Sequence, residues 1–95
     1  MKVAWTRPAL QSLEEIQNYV AQDSPSAAYR LINALIDRTE AVLGETPMAG
    51  RLGRARGTRE PILRDLPYIV AYRVQERVEV LAVMHAARDW PQTFE

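Results

Sequence analysis

The stretch YIVAYRVQERVEVLAVMH, residues 68–85, decides the fold of this chain. Its first seven residues are rich in β-branched and aromatic types and apolar on both faces, which is typical of a central strand. A second run of nine residues repeats the pattern, and Gln75 and Glu76 between the runs predict a tight turn and hence a β-hairpin. In the simplest register Val74 lies opposite Arg77. The side chains that this register places on one face are Tyr68, Val70, Tyr72, Leu81, Val83 and His85.

Two further stretches have the period of two that strands show. TREPILRDL, residues 58–66, predicts a strand directly before the hairpin. Pro61 lies inside it and cannot donate a ladder hydrogen bond, so we expect that strand at a sheet edge or at a bulge. The chain also opens with a short strand, residues 2–5, which places Val3 and Trp5 on one face. We expect this opening strand to join the C-terminal strands in one sheet.

Between the opening strand and the hairpin, the apolar residues recur at helical spacing. Thr6 can cap a first helix of about four turns, with Pro8 in its first turn. Ser24 followed by Pro25 restarts the pattern as a cap and an N1 proline, and Gly44 predicts the stop of the second helix. The short connection makes the two helices an antiparallel hairpin. The order is therefore β-α-α-β-β-β, an α+β fold with a three-stranded antiparallel meander.

Length and composition indicate one domain, residues 1–95. With 95 residues and 47% apolar side chains, the chain can build a single core. We expect the helical hairpin to cover one sheet face and the other face to stay at least partly open. The sequence contains no cysteine and one histidine, which excludes thiolate metal sites and gives no metal-ligand spacing, and no phosphate-loop motif is present. We therefore expect no metal and no cofactor. Without a signal peptide or a long apolar run, we expect a soluble cytoplasmic protein that does not enter a membrane.

Arginine dominates the second half of the chain. Residues 51–64 contain five arginines and a single acid, Glu60. Arginine presents a planar, always-charged fork that suits carboxylates and phosphates. One interpretation is a solvated loop, and the other is an anion-binding surface for nucleic acid or for an acidic protein segment. The candidate residues for binding an acidic protein segment or a nucleic acid on the second interpretation are Arg51, Arg54, Arg56, Arg59 and Arg64.

One catalytic chemistry is compatible with these residue types: phosphodiester cleavage by a general acid and base, with arginines that stabilise the charge developing at phosphorus. The candidate catalytic residues are His85, Tyr68, Tyr72, Arg59, Arg73 and Arg88. The alternative interpretation makes His85 a structural hydrogen-bonding group at a strand end and makes the tyrosines packing residues of the sheet.

Taken in order, these pieces resemble the RelE/ParE superfamily, the toxins of bacterial type II toxin–antitoxin modules. The helical hairpin is similar to that of the family. TPMAGRLGRARGTRE, residues 46–60, is similar to the family's Pro-x-x-Gly-Arg loop and the Gly-x-Arg start of the next strand. The hairpin follows with its Tyr-x-Val-x-Tyr-Arg-Val strand, and His85 and Arg88 supply a terminal His-x-x-Arg. The resemblance covers almost the whole chain.

The resemblance implies a function and partners. RelE-like members cleave mRNA on the ribosome, whereas ParE-like members poison DNA gyrase. In this chain His85 is one position away from the nuclease histidine, and Ile69 stands where RelE-like strands carry an arginine; both departures favour the ParE-like branch. The resemblance thus predicts a gyrase-inhibiting toxin in a hetero-oligomer with a ParD-like, ribbon-helix-helix antitoxin. The alternatives are a ribosome-dependent endoribonuclease and a non-toxic remnant that only binds its antitoxin. On the first alternative, the ribosome and its mRNA are the targets. We also predict that the C-terminal tail, with Arg88, Trp90 and Phe94, contacts the target.

Overall fold

The computed structural model describes residues 1–87. Within these residues, two helices and five strands follow one another, and one mixed sheet contains all five strands. The elements in chain order are β1 (Val3–Trp5), α1 (Arg7–Ala21), α2 (Pro25–Glu45), β2 (Arg51–Leu52), β3 (Arg59–Glu60), β4 (Tyr68–Val74) and β5 (Val78–His85).

Both helices begin where the capping residues predict. The Thr6 side chain accepts a hydrogen bond from the backbone N–H three residues on, and its Oγ1 also donates to the carbonyl of Val80 at 2.7 Å. Thr6 therefore ties the start of α1 to β5. Ser24 caps α2 in the same way, with an N–H···Oγ distance of 3.2 Å. The end of α2 predicted at Gly44 is one residue early: the helix continues through Gly44 and ends at Glu45.

The sheet has the strand order β1-β5-β4-β3-β2. The opening strand joins the C-terminal strands as predicted: β1 lies parallel to β5, with Val3 opposite Val78. All other neighbouring strands are antiparallel. The hairpin of β4 and β5 thus forms the centre of the sheet.

The strand predicted over residues 58–66 is much shorter in the structure. Only Arg59–Glu60 pairs as a strand, because Pro61 ends the donor ladder and Asp65 adopts a positive φ of 68° in a turn. On the side away from β4, this short strand pairs with β2, Arg51–Leu52, which lies in a stretch that the sequence indicates as loop.

The central hairpin has a different turn and register from those predicted. Val74 pairs with Val78, so three residues form the turn, closed by a hydrogen bond from the N–H of Gln75 to the carbonyl of Arg77 at 3.0 Å. The register then shifts by one residue between Ala71 and Tyr72.

This bulge decides which side chains of β5 face the helices. Tyr72 pairs with Val80, whereas Tyr68 pairs with His85. Because an extra residue enters β5 at the bulge, Leu81 is not on the helix-facing side where the simple register places it. Val83 and His85 do lie on that side, as predicted.

The core lies between the helical hairpin and the central strands. Its fully buried residues come from both helices and from β4 and β5, with Leu35, Leu43, Tyr72 and Val80 all at 0% exposure. On the opposite sheet face Ala71 and Ala82 are buried too, so that face is less open than the sequence suggests. Neither helix of residues 1–87 combines the length and the apolar composition that crossing a bilayer requires.

Candidate functional site

Residues 47–60, which we call the arginine segment, are held against the sheet by Tyr72. The Tyr72 hydroxyl donates to the carbonyl of Pro47 at 2.8 Å and accepts from the N–H of Gly50 at 3.1 Å. Gly50 is required here, because a Cβ at this position would collide with the Tyr72 hydroxyl and lie 3.0 Å from the carbonyl oxygen of Glu60. A buried hydroxyl thus fixes the start of the arginine segment.

Glu60 fixes the other end of the same segment. Its side chain is 1% exposed, and Oε2 accepts a hydrogen bond from the backbone N–H of Arg54 at 2.9 Å. The second oxygen, Oε1, lies 3.5 Å from the guanidinium of Arg51. Buried carboxylates are rarely left without such partners, because desolvation of the charge is costly. Glu60 is therefore a buried acid that holds the arginine segment in place through its contacts with two of the arginines.

Three of the five candidate binding arginines are engaged in holding the fold. Besides Arg51, Arg59 donates from its guanidinium to the carbonyl of Gly50 at 2.9 Å. The guanidinium of Arg54 reaches the carbonyl of Ala86 at 3.2 Å and so links the segment to the end of β5.

The five arginines do not form one continuous patch. Arg64 is exposed in the turn before β4, where its carbonyl accepts a hydrogen bond from Arg38 at 2.7 Å. Arg56 and Arg59 line a concavity of about 570 Å³ near the turn end of β4, together with Arg73. We call this concavity the arginine pocket; the rest of its lining consists of Met48, Gly57, Thr58, Val74, Gln75 and Leu81.

Arg73 is positioned in the arginine pocket by a neighbouring acid. Its Nε donates to Oε1 of Glu79 at 2.7 Å, and Oε2 of Glu79 lies 3.7 Å from Nε of Arg77. The hydrogen bond from Arg73 is the main cause that lowers the pKa of Glu79 below its ordinary value. Glu79 is therefore a carboxylate at neutral pH and keeps Arg73 oriented.

His85 and Tyr68 line a second concavity, of about 680 Å³, between α1 and the far end of the central hairpin. We call it the tyrosine pocket; its other lining residues are Ser12, Glu15, Ile16, Tyr19, Val83 and Met84. The two rings meet edge to face with centroids 5.4 Å apart. Burial, with a smaller contribution from Tyr19, raises the pKa of Tyr68 above its ordinary value, so its hydroxyl is neutral under physiological conditions.

The hydrogen bonding of His85 assigns its tautomer. Its Nδ1 accepts from the N–H of Ala87 at 3.1 Å, so the neutral ring carries its proton on Nε2. Among the other described residues that line the tyrosine pocket, Glu15 is the one acid and no lysine or arginine is present. An acid of this kind does not stabilise the negative charge that develops at phosphorus during phosphodiester cleavage.

The structure thus separates the candidate catalytic residues into three places. Arg59 and Arg73 share the arginine pocket, while Tyr68 and His85 share the tyrosine pocket. Tyr72 is fully buried as a brace. The remaining candidate, Arg88, lies outside the described residues, as do Trp90 and Phe94 of the predicted target-binding tail.

Glu60 is the residue supporting the candidate site that reasoning from sequence missed. The available signal was its position as the single acid among five arginines.

Within residues 1–87, no three His, Cys, Asp or Glu residues are close enough together to hold a metal ion.

Comparison with known proteins identifies the family. The family described as "ParE toxin of type II toxin-antitoxin system, parDE" matches residues 3–90. A curated protein of Sinorhizobium fredii, named "Putative toxin Y4kP", is 46% identical over 93 residues, 98% of this chain and 96% of that protein. "Toxin RelE2" of Caulobacter vibrioides is 36% identical over 88 residues, which cover 92% of this chain and 97% of the relative.

A solved structure agrees with this assignment. The structure described as "Chromosomal ParDE TA system from P. aeruginosa" superposes with a TM-score of 0.77 and 25% identity, over 90% of this chain and 95% of the other. Fold, length and sequence all point the same way, and the chain belongs to the ParE toxin family of type II toxin–antitoxin systems.

Proposed function

We propose that this toxin inhibits DNA gyrase and does not cleave mRNA. The observation that supports the proposal is the separation of the arginine pocket from the tyrosine pocket. Phosphodiester cleavage needs an acid–base group and cations within hydrogen-bond reach of the same phosphate. In the described residues, His85 instead lines a pocket whose other residues are one acid, Glu15, and uncharged side chains, and Arg59 and Arg73 line another pocket.

The family adds support from a second direction. The matching family is that of the ParE toxin. The resemblance to ParE-like toxins implies DNA gyrase as the target. The name of the Caulobacter relative, "Toxin RelE2", is the observation that keeps ribosome-dependent mRNA cleavage as the second candidate.

The partner that restrains the toxin is an antitoxin, as the type II system requires. We propose a ParD-like ribbon-helix-helix protein whose C-terminal segment lies against the toxin, and a toxin–antitoxin hetero-oligomer as the stored form. The tyrosine pocket supports this proposal: Tyr19, 74% exposed, stands beside Ile16 and Met84 in one groove. An amphipathic segment gains most of its binding energy from such a groove.

The test compares two reactions of the purified toxin. One measures supercoiling of relaxed plasmid by gyrase with increasing toxin, and the other measures the integrity of an mRNA during translation in a cell-free extract. We expect gyrase inhibition with intact mRNA, and recovery of gyrase when antitoxin is added. Cleaved mRNA with unaffected supercoiling would assign the chain to the second candidate. No effect in either reaction would mark it as a remnant that only binds antitoxin.

A further inference from the structure

The arginine pocket combines cations with an apolar wall. Arg56, Arg59 and Arg73 contribute three guanidinium groups, and Met48 and Leu81 contribute apolar surface to the same 570 Å³. We propose that this pocket binds an acidic side chain of a partner protein, with an apolar residue beside that acid packed against Met48 and Leu81. This inference rests on the proposed function only in requiring that the toxin acts through protein partners.

The pocket is built in advance of any ligand. The guanidinium of Arg59 is held by the carbonyl of Gly50, and Arg73 is held by Glu79. Thr58, which is 5% exposed, donates from its hydroxyl to the carbonyl of Ala55 at 2.6 Å and closes the turn that carries Arg56. Binding to such a site loses less side-chain entropy, because two of the three arginines are already oriented.

The hydrogen bonds that position these arginines leave donors for a ligand. The bond to Glu79 uses only Nε of Arg73, and the bond to Gly50 uses only Nη1 of Arg59. Each guanidinium has five N–H donors. A carboxylate can accept two parallel hydrogen bonds from one guanidinium, and these charge-assisted bonds are short and strong.

The lining favours a protein carboxylate over a nucleic acid. Single-stranded nucleic acids bind where aromatic rings stack on their bases, and the described lining of the arginine pocket includes no aromatic residue. A phosphate backbone would also approach Glu79 and the exposed Glu76 near the same turn, and acids there repel a chain of phosphates. A single carboxylate carries one negative charge and is repelled less by these acids than a chain of phosphates is.

The dimensions agree with one or two side chains of a peptide. Concavities of roughly 300–1,000 Å³ are typical of sites for small ligands and short segments. The pocket has the room for a glutamate and a neighbouring leucine.

The experiment uses a capped seven-residue peptide of alanine, leucine and glutamate, and its counterpart with glutamine in place of glutamate. Nitrogen-15 NMR follows the arginine Nε–H signals of the full-length toxin during titration. We expect the glutamate peptide to shift the signals of Arg56, Arg59 and Arg73, and to leave that of Arg30, on the surface of α2, unchanged. The glutamine peptide should bind on the order of tenfold more weakly, because it lacks the charge of the acceptor.

Two variants with the same change of charge provide the mutational test. Arg56→Ala should weaken binding of the glutamate peptide about tenfold or more, because it removes one cation of the pocket. Arg30→Ala should leave the affinity unchanged. Equal effects of the two variants, equal affinity for the two peptides, or no shifts at all would each overturn the proposal. If a six-nucleotide single-stranded RNA bound more tightly than the glutamate peptide and shifted the same signals, the ligand of the pocket would be a phosphate and not a carboxylate.

A repeat with the toxin–antitoxin complex identifies the source of the acid. If bound antitoxin removes the peptide-induced shifts, an antitoxin segment fills the pocket; if the shifts persist, the pocket is left for the target. Gyrase inhibition by Arg56→Ala is measured separately. The two measurements are independent. Loss of peptide binding with intact gyrase inhibition, and loss of gyrase inhibition with intact peptide binding, can each be observed.

Discussion

Tyr72 and Tyr68 lie on the same face of β4, four residues apart, and their surroundings are opposite. Tyr72 is 0% exposed, and its hydroxyl both donates to Pro47 and accepts from Gly50. Tyr68 is half-buried at the other end of the strand, where its ring meets His85. Within residues 1–87 the Tyr68 hydroxyl makes no hydrogen bond, whereas that of Tyr72 makes two.

The difference shows how one strand serves two purposes. At the Tyr72 end, buried polar groups hold a long connection, the arginine segment, in one conformation. At the Tyr68 end, the ring and its neighbours form a groove that a partner can fill. Residue type alone does not separate these roles, since the two tyrosines occupy equivalent positions of the strand's alternation. What covers each side chain makes the difference.

Gly50→Ala should have the largest effect on stability, because it changes the packing against Tyr72 directly. The new Cβ would collide with the Tyr72 hydroxyl and lie 2.8 Å from its Cε1. Overpacking of this kind costs about 1–3 kcal/mol, and more where backbone must move. The free energy of unfolding, measured by urea denaturation, should fall by that amount.

The matched control for this change is Gly44→Ala in the last turn of α2. A Cβ at Gly44 would meet its nearest neighbour, the Met1 carbonyl oxygen, at 3.8 Å, which is ordinary contact. Alanine is the better helix former by roughly 0.8–1.0 kcal/mol, so this variant should be slightly more stable. If both alanines changed stability in the same direction, the tight packing of Gly50 on Tyr72 would not explain the result.

Removing each tyrosine hydroxyl in turn compares the contributions of the two hydroxyls to stability. Tyr72→Phe leaves the Gly50 N–H and the Pro47 carbonyl without their partner, and an unsatisfied buried group costs about 1–3 kcal/mol. Tyr68→Phe removes a hydroxyl with no bonding partner in residues 1–87, and should change stability by less than ~0.5 kcal/mol. The difference between the midpoints of urea denaturation of the two variants measures the asymmetry. Equal midpoints would contradict it.

The elements that local chemistry determines were predictable from sequence. Thr6 and Ser24 cap the helices because their side chains bond backbone N–H groups three residues away, and no distant contact is needed. The β4–β5 hairpin follows from the alternation of its own residues. The membership of the opening strand in the sheet was expected because a lone strand needs a partner, whereas its parallel pairing with β5 was not predicted.

The rest depended on contacts that a sequence does not display. The bulge opposite Tyr72 moved Leu81 away from the helix-facing side, although nothing in the run of apolar residues marks an extra residue there. The burial of Glu60 was not predicted, because it depends on the backbone N–H of Arg54 and the guanidinium of Arg51 lying against its carboxylate. The separation of His85 from Arg59 and Arg73 follows from the strand register. His85 pairs with Tyr68 at one end of β4, whereas Arg59 pairs with Tyr72, next to Arg73, towards the other end.

A half-buried acid in the same sheet, Glu79, gives a smaller, pH-dependent effect. The pKa of Glu79 is lowered from its ordinary 4.5, chiefly by the hydrogen bond from Arg73. Because the folded state holds the carboxylate more tightly than the unfolded state does, this contribution is fully present above pH 4.5. It is lost as the pH falls from there through the lowered pKa.

Glu79→Gln should therefore flatten the dependence of stability on pH below about pH 4.5, as thermal melts in a series of buffers can measure. Glu76→Gln is the control in the same hairpin, since within residues 1–87 Glu76 makes no ion pair. A steeper loss of stability on acidification in Glu79→Gln than in the unmodified toxin would show that the sign is wrong.

The smallest effect is expected at the Tyr68 end, from His85→Gln. His85 accepts one hydrogen bond, from the N–H of Ala87, and a glutamine amide oxygen can take over that role. If the toxin inhibits gyrase without acid–base chemistry, the variant should arrest growth as the unmodified toxin does. Its inhibitory concentration in the supercoiling assay should change by less than about threefold, whereas loss of a general acid or base removes ~10²–10⁴ in rate. Binding to antitoxin is measured in parallel to show that the variant is folded. A folded, antitoxin-binding variant without toxicity would make His85 a catalytic residue, and the tyrosine pocket would then be the active site of a nuclease.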